Sequence, residues 1–138
     1  MADYLTSKDA ERMLSNVNPK QAFKLHMGSE ITDLKSLFEA LNIMDDTSFK
    51  HHVTGSKNDF ANWVRDVLDD KDLASALHST KDRMHMIQLV KKRVQFLDSI
   101  KTEQGLSTVF MAYSVLDFII GLAVGIAAGY LIAKFVVP

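Results

Sequence analysis

Apolar positions along this chain fall into two regimes. Up to about residue 104 they recur at helical spacing between charged residues; from Leu106 to Val137 they are nearly continuous, and only Asp117 and Lys134 carry charge. In the first regime, Ala10, Met13, Leu14 and Val17 predict a helix from about Asp3 to Ser15, stopped by Asn16, Asn18 and Pro19. Phe23, Leu25, Met27 and Ile31 alternate around Gly28, a pattern that fits a short hairpin or a loop. Thr32 is placed to cap a helix carrying Leu34, Leu37, Phe38, Leu41 and Met44, and Asp46 or Thr47 to cap a short one through Phe49 and Val53. Ser56, with Asp59 three residues on, reads as an acidic capping box before Phe60, Trp63, Val64 and Val67. Asp69 or Asp70 then caps a helix with Leu73, Ala76 and Leu77 inward. Thr80 begins the longest amphipathic helix, with Ile87, Val90, Val94 and Leu97 as its stripe and Met86, Leu89 and Phe96 beside it. Gly105 marks a hinge, with Ser107 to cap the apolar helix after it.

The second regime is 32 residues long, against the roughly 20 that a membrane-spanning helix needs. The fold class expected is therefore all-α: an N-terminal helix (1–16), a compact multi-helix cytoplasmic domain (17–104) and one C-terminal transmembrane helix (105–138). The polar N-terminus contains no apolar run of the secretory kind. Lys91, Lys92, Arg93 and Lys101 precede the apolar segment while Lys134 lies near its end, so the positive-inside rule puts the N-terminal side in the cytoplasm and makes the protein tail-anchored.

Within that segment Asp117, Gly121, Gly125, Gly129 and Ala133 recur every four residues. Four residues are about 400° of helix, so these positions form one slowly drifting stripe. Small residues there let a second helix approach closely in lipid, which makes Gly121, Gly125, Gly129 and Ala133 a helix-packing face. A span that starts at Leu106 places Asp117 inside the bilayer, as a candidate ion path. One that starts at Phe118 still has 20 residues and leaves Asp117 at the interface.

Charge and composition narrow the remaining chemistry. Sixteen basic against seventeen acidic residues disfavour a dedicated nucleic-acid binder, and the lack of cysteine removes disulfides, thiolate zinc sites and cysteine nucleophiles. His51 and His52 point about 100° apart on a helix, and His78 and His85 are separated by a helix break, so no metal site is expected. His52 is instead expected to close the domain by hydrogen bonding. No glycine-rich phosphate loop occurs, and Ser56, Asn58 and Asp59 suit helix capping better than hydrolysis, so neither a cofactor nor a catalytic residue is assigned. Lys91, Lys92 and Arg93 are candidate contacts for anionic lipid or nucleic acid, set against the alternative of an ordinary solvated face. Trp63, Met84 and Met86 are candidates for exposed contacts or for core.

The stretch NDFANWVRDVLDDKDLASAL, together with VNPKQAFKLHMGSEITDLKSLFEAL and MDDTSFKHHV upstream, resembles an uncharacterised, mainly archaeal family of small helical domains of unknown function. The resemblance covers about residues 17–97, and Asn58, Asp59, Phe60, Trp63, Val64 and Val67 are its most specific part. It implies an archaeal origin and a compact helical module, and supplies no catalytic residue. The expectation is a non-enzymatic membrane protein whose helical domain binds a protein partner and whose glycine-lined helix packs into a homo-oligomer or larger membrane complex. The alternative is a small subunit of an ion- or proton-translocating assembly using Asp117; a weaker one is a membrane tether for a ribosome or other nucleic-acid assembly.

Overall fold

The computed structural model describes the backbone of residues 5–26 and 28–136, with side chains described for 5–26, 28–102, 118–120, 122–124 and 126. It is mostly helical. The elements run α1 (Ser7–Leu14), a 3-10 turn (Pro19–Gln21), β1 (Phe23–Lys24), β2 (Glu30–Ile31), α2 (Leu34–Ile43), α3 (Asp46–His52), α4 (Asp59–Asp66), α5 (Lys71–His78) and α6 (Arg83–Val136). The chain divides into two compact units, Met1–Lys101 and Thr102–Pro138.

Acidic and amide side chains decide where the helices of the first unit begin. Thr6 caps α1 in a reciprocal capping box with Asp9, so the helix starts at Ser7 rather than near Asp3. Asp33, Asp45, Asn58 and Asp70 each accept a backbone N–H from the first turn of α2, α3, α4 and α5. Asp82 does the same at the start of α6, taking His85 N–H at 2.7 Å. The hydroxyls expected in these roles serve elsewhere. Thr32 bonds Asn16, Ser56 sits in the loop before α4, and the Thr80 hydroxyl accepts Asp82 N–H. A short carboxylate or amide reaches the N2 or N3 amide as well as a hydroxyl does, and a carboxylate also meets the positive end of the helix dipole.

The ambiguous stretch around Gly28 is a hairpin: Phe23 pairs with Ile31 and Lys24 with Glu30, antiparallel. Gly28 has φ 89° and its N–H bonds Leu25 C=O at 2.9 Å, a left-handed turn position that favours glycine. Met27 lies outside the described residues.

One core gathers the apolar stripes. Leu34, Leu37, Leu41, Phe60, Val64, Leu77, Met86, Val90 and Leu97 are all fully buried, and Ala10 and Met13 of α1 join them. α1 thus packs into the same core through Ala10 and Met13. On α5 the inward residues are Leu73, Ala74 and Leu77, with Ala76 only half-buried. Trp63 and Met86 are core, the former donating Nε1–H to Gln21 C=O at 2.9 Å, whereas Met84 stays 60% exposed.

Residues 102–136 are helical. Gly105 thus lies inside α6 rather than at its end, and Ser107 caps no helix; a single glycine costs a helix only about 1 kcal/mol relative to alanine, which its neighbours absorb. Among the described residues no helix is long and apolar enough to cross a membrane.

Candidate functional site

Three places concentrate chemistry. The first is the corner where α3 ends and α4 begins. The loop between them is tight: Val53 bridges Asn58, and Thr54 N–H bonds Lys57 C=O at 2.9 Å. Asn58, only 3% exposed, caps α4 through Ala61 N–H at 3.0 Å and donates to Leu77 C=O at 2.8 Å, tying α4 to α5. This geometry brings His52 and Asp59, seven residues apart, to 3.3 Å between Nδ1 and Oδ2. The other ring nitrogen, Nε2, accepts the His26 backbone N–H from the hairpin at 3.2 Å.

Both nitrogens of His52 therefore have assigned work, with Nε2 the acceptor and Nδ1–H directed at Asp59. The ring packs edge-on against Phe23 and tilted against Phe60, at centroid distances of 5.1 and 5.3 Å. Burial in this apolar setting lowers the His52 pKa below the ordinary histidine value, and the hydrogen bond and negative charge of Asp59 oppose that only in part. The expectation that His52 closes the domain by hydrogen bonding matches this arrangement. His26 and His51, both exposed, stack on each other at 4.1 Å. Among the described residues no group of three His, Cys, Asp or Glu side chains could hold a metal ion.

The second place is a buried ion pair between α5 and α6. After α4 the chain turns back through Asp69, which has φ 54°, a left-handed conformation that an aspartate tolerates better than a branched residue. Asp70 N–H then closes onto Val64 C=O at 3.2 Å, which drives the Asp70 side chain inward. Its carboxylate, 0% exposed, receives Arg93 Nε–H at 2.7 Å and Nη2–H at 2.8 Å while also capping α5 through Leu73 N–H at 3.1 Å. An adjoining cleft of about 390 Å³ is lined in part by Asp9, Arg12, Asp69 and Asp72. Arg12 there donates to Leu68 C=O at 2.9 Å and lies 3.9 Å from Asp69. The charges of this cleft are thus largely turned on one another.

This pair separates three cations that look alike in sequence. Lys91 and Lys92 are exposed on α6, but Arg93 is committed to Asp70 and lies across Phe96 at 5.6 Å. Arg93 is a tie between helices, and the exposed basic group is reduced to Lys91 and Lys92. The sequence points to His52 as a hydrogen-bonding residue but not to its partners, and toward the buried pair only an aspartate at a helix start points, which capping alone accounts for.

The third place is the apolar part of the second unit. Phe118, Ile119, Ile120, Leu122, Val124 and Ile126 are all at least half exposed. At about 100° per residue these positions point to opposite sides of the helix, not to one stripe. Positions 117, 121, 125, 129 and 133 are helical, but the side chains of Asp117 and Ala133 and the surroundings of Gly121, Gly125 and Gly129 lie outside what is described. No protein-family model, no curated protein and no solved structure matches the chain.

Proposed function

We propose that this is a single-span membrane protein without enzymatic activity, whose helical unit stands in the cytoplasm and holds a protein partner at the membrane surface. In this reading residues 106–137 enter the bilayer, and the line of Gly121, Gly125, Gly129 and Ala133 packs against a like helix or against helices of a larger complex. The observation that carries it is the set of apolar side chains exposed on opposite sides of one helix, from Phe118 to Ile126. A helix apolar on one face calls for a core; one apolar all round and uncovered calls for lipid. The charge pattern supports the orientation, since Lys91, Lys92 and Lys101 lie on the N-terminal side of the segment.

The chain has no cysteine, so a single introduced thiol reports one position. Val124→Cys carrying a polarity-sensitive fluorophore, in the full chain reconstituted into lipid vesicles, should emit as in hydrocarbon and resist an aqueous quencher. Lys92→Cys should remain fully quenchable. Equal quenching at the two positions would reject the bilayer placement.

A further inference from the structure

Within the histidine corner one side chain holds the turn of a very short hairpin. The β1–β2 hairpin has only two residues in each strand, and a hairpin that short is not stable by itself in water. Its base is anchored in the core by the buried Ile31 and by Val17 N–H to Thr32 C=O at 2.8 Å, and β1 is held by Trp63 Nε1–H to Gln21 C=O and by the packing of Phe23 on His52, Phe60 and Trp63; its turn is held by the His26 N–H to His52 Nε2 bond. The last of these demands an unprotonated nitrogen.

We propose that the hairpin's tip is an acid-released latch: a proton on His52 Nε2 turns the acceptor that holds the His26 N–H into a second donor, and the chain at Leu25 and His26 lets go of the α3–α4 corner. Two N–H groups facing each other at 3.2 Å cannot bond, so the His26 amide loses its partner when the ring is charged. The groups facing the ring come from every neighbouring segment. Asp59 of α4 stands at 3.3 Å and favours the charged ring, but it is shared with Lys57 Nζ at 2.9 Å. His51 of α3 lies 5.1 Å away between centroids, and stacks on His26 of the hairpin. Phe23 and Phe60 cover the rest of the ring.

The direction comes from the burial. A histidine whose closed-state pKa lies below its ordinary value binds its proton more readily when the latch is open. The latch is therefore fully held above about pH 6.5 and weakens as the pH falls below it, because opening then takes up a proton. One proton taken up per opening raises the open population as the pH falls, by no more than about ten-fold for each pH unit.

Amide hydrogen exchange on the full chain in detergent micelles, from pH 7.5 to 4.5 and corrected for the chemical exchange rate, reads this directly, with His52 titration followed by NMR in the same samples. The Leu25 and His26 amides should open more as the pH falls below 6.5, by no more than about ten-fold per unit, while core amides of α5 change far less. His52→Gln should make hairpin opening independent of pH whatever its absolute level, and His51→Gln should preserve the pH response. Asp59→Asn, which keeps the shape and removes the charge that favours imidazolium in the closed state, should leave the onset near pH 6.5 and carry the pH-dependent opening further into acid. Hairpin opening that stays flat while His52 titrates, a full pH response surviving in His52→Gln, or an acid response weakened in Asp59→Asn would overturn the proposal.

Discussion

Replacing Asp70 by alanine tests how the first unit is held together, because one carboxylate there serves two helices. The substitution removes the α5 cap, worth about 1 kcal/mol. It also strands Arg93, whose side chain is only 15% exposed. Breaking a buried pair from one side costs about 3–5 kcal/mol. Here the lower part of that range applies, since Arg93 still reaches some water and Asp72 lies 3.9 Å away. The expected loss for Asp70→Ala is thus about 3–4 kcal/mol, cap included. For a unit of this size a loss of 3 kcal/mol lowers the melting temperature by roughly 12–24 °C. Urea unfolding of the full chain in mild detergent, followed by far-ultraviolet circular dichroism, should show a lower midpoint with an unchanged slope. The companion double substitution Asp70→Ser with Arg93→Leu restores a cap and removes both charges, and should stay within about 1 kcal/mol of the original, as an apolar replacement of a buried pair often does. A loss below about 1 kcal/mol for Asp70→Ala, or a double variant no better than it, would refute the reasoning.

Two further outcomes separate alternatives raised by the sequence. Asn58→Ala should cost about 1–2 kcal/mol, because it deletes the α4 cap and the side-chain bond to Leu77 C=O, which keeps the Thr80 backbone N–H; Ser56→Ala, in the exposed loop, should change stability by under about 0.5 kcal/mol in the same urea titration. Gly125→Leu should shift chemically crosslinked oligomers toward monomer in detergent while leaving the urea midpoint of the helical unit unchanged, since it obstructs close helix approach without touching that unit. An oligomer distribution identical to the original would remove the glycine face from the account.

What the sequence made legible was periodicity. The stripes Leu34, Leu37 and Leu41, or Ile87, Val90 and Leu97, identify their helices because burial on one face repeats with the helical turn, and the same residues form the core. Caps were harder: runs such as Asp45, Asp46, Thr47 and Thr32, Asp33 offer several competent side chains, and the choice depends on which backbone amide each one reaches. The hairpin stayed open because two-residue strands carry too little alternation to be told from a loop. Contacts between distant segments left no trace in the pattern. Arg93 looked equivalent to Lys91 and Lys92 until α5 placed Asp70 opposite it, and His52 acquired its role only when residues 26 and 59 arrived from either side. Apolar length, by contrast, is a local property, which is why the segment from Leu106 onward is read from sequence more readily than from packing.

Lipid association of that segment is the central claim, and flotation with an alkaline carbonate wash measures it without a bound partner. Full chain reconstituted with liposomes, washed at about pH 11 and spun through a density gradient should rise with the lipid, whereas the chain ended after Lys101 should stay at the bottom. Full chain that is stripped by carbonate and remains dispersed as a monomer in detergent-free buffer would contradict a membrane-spanning role.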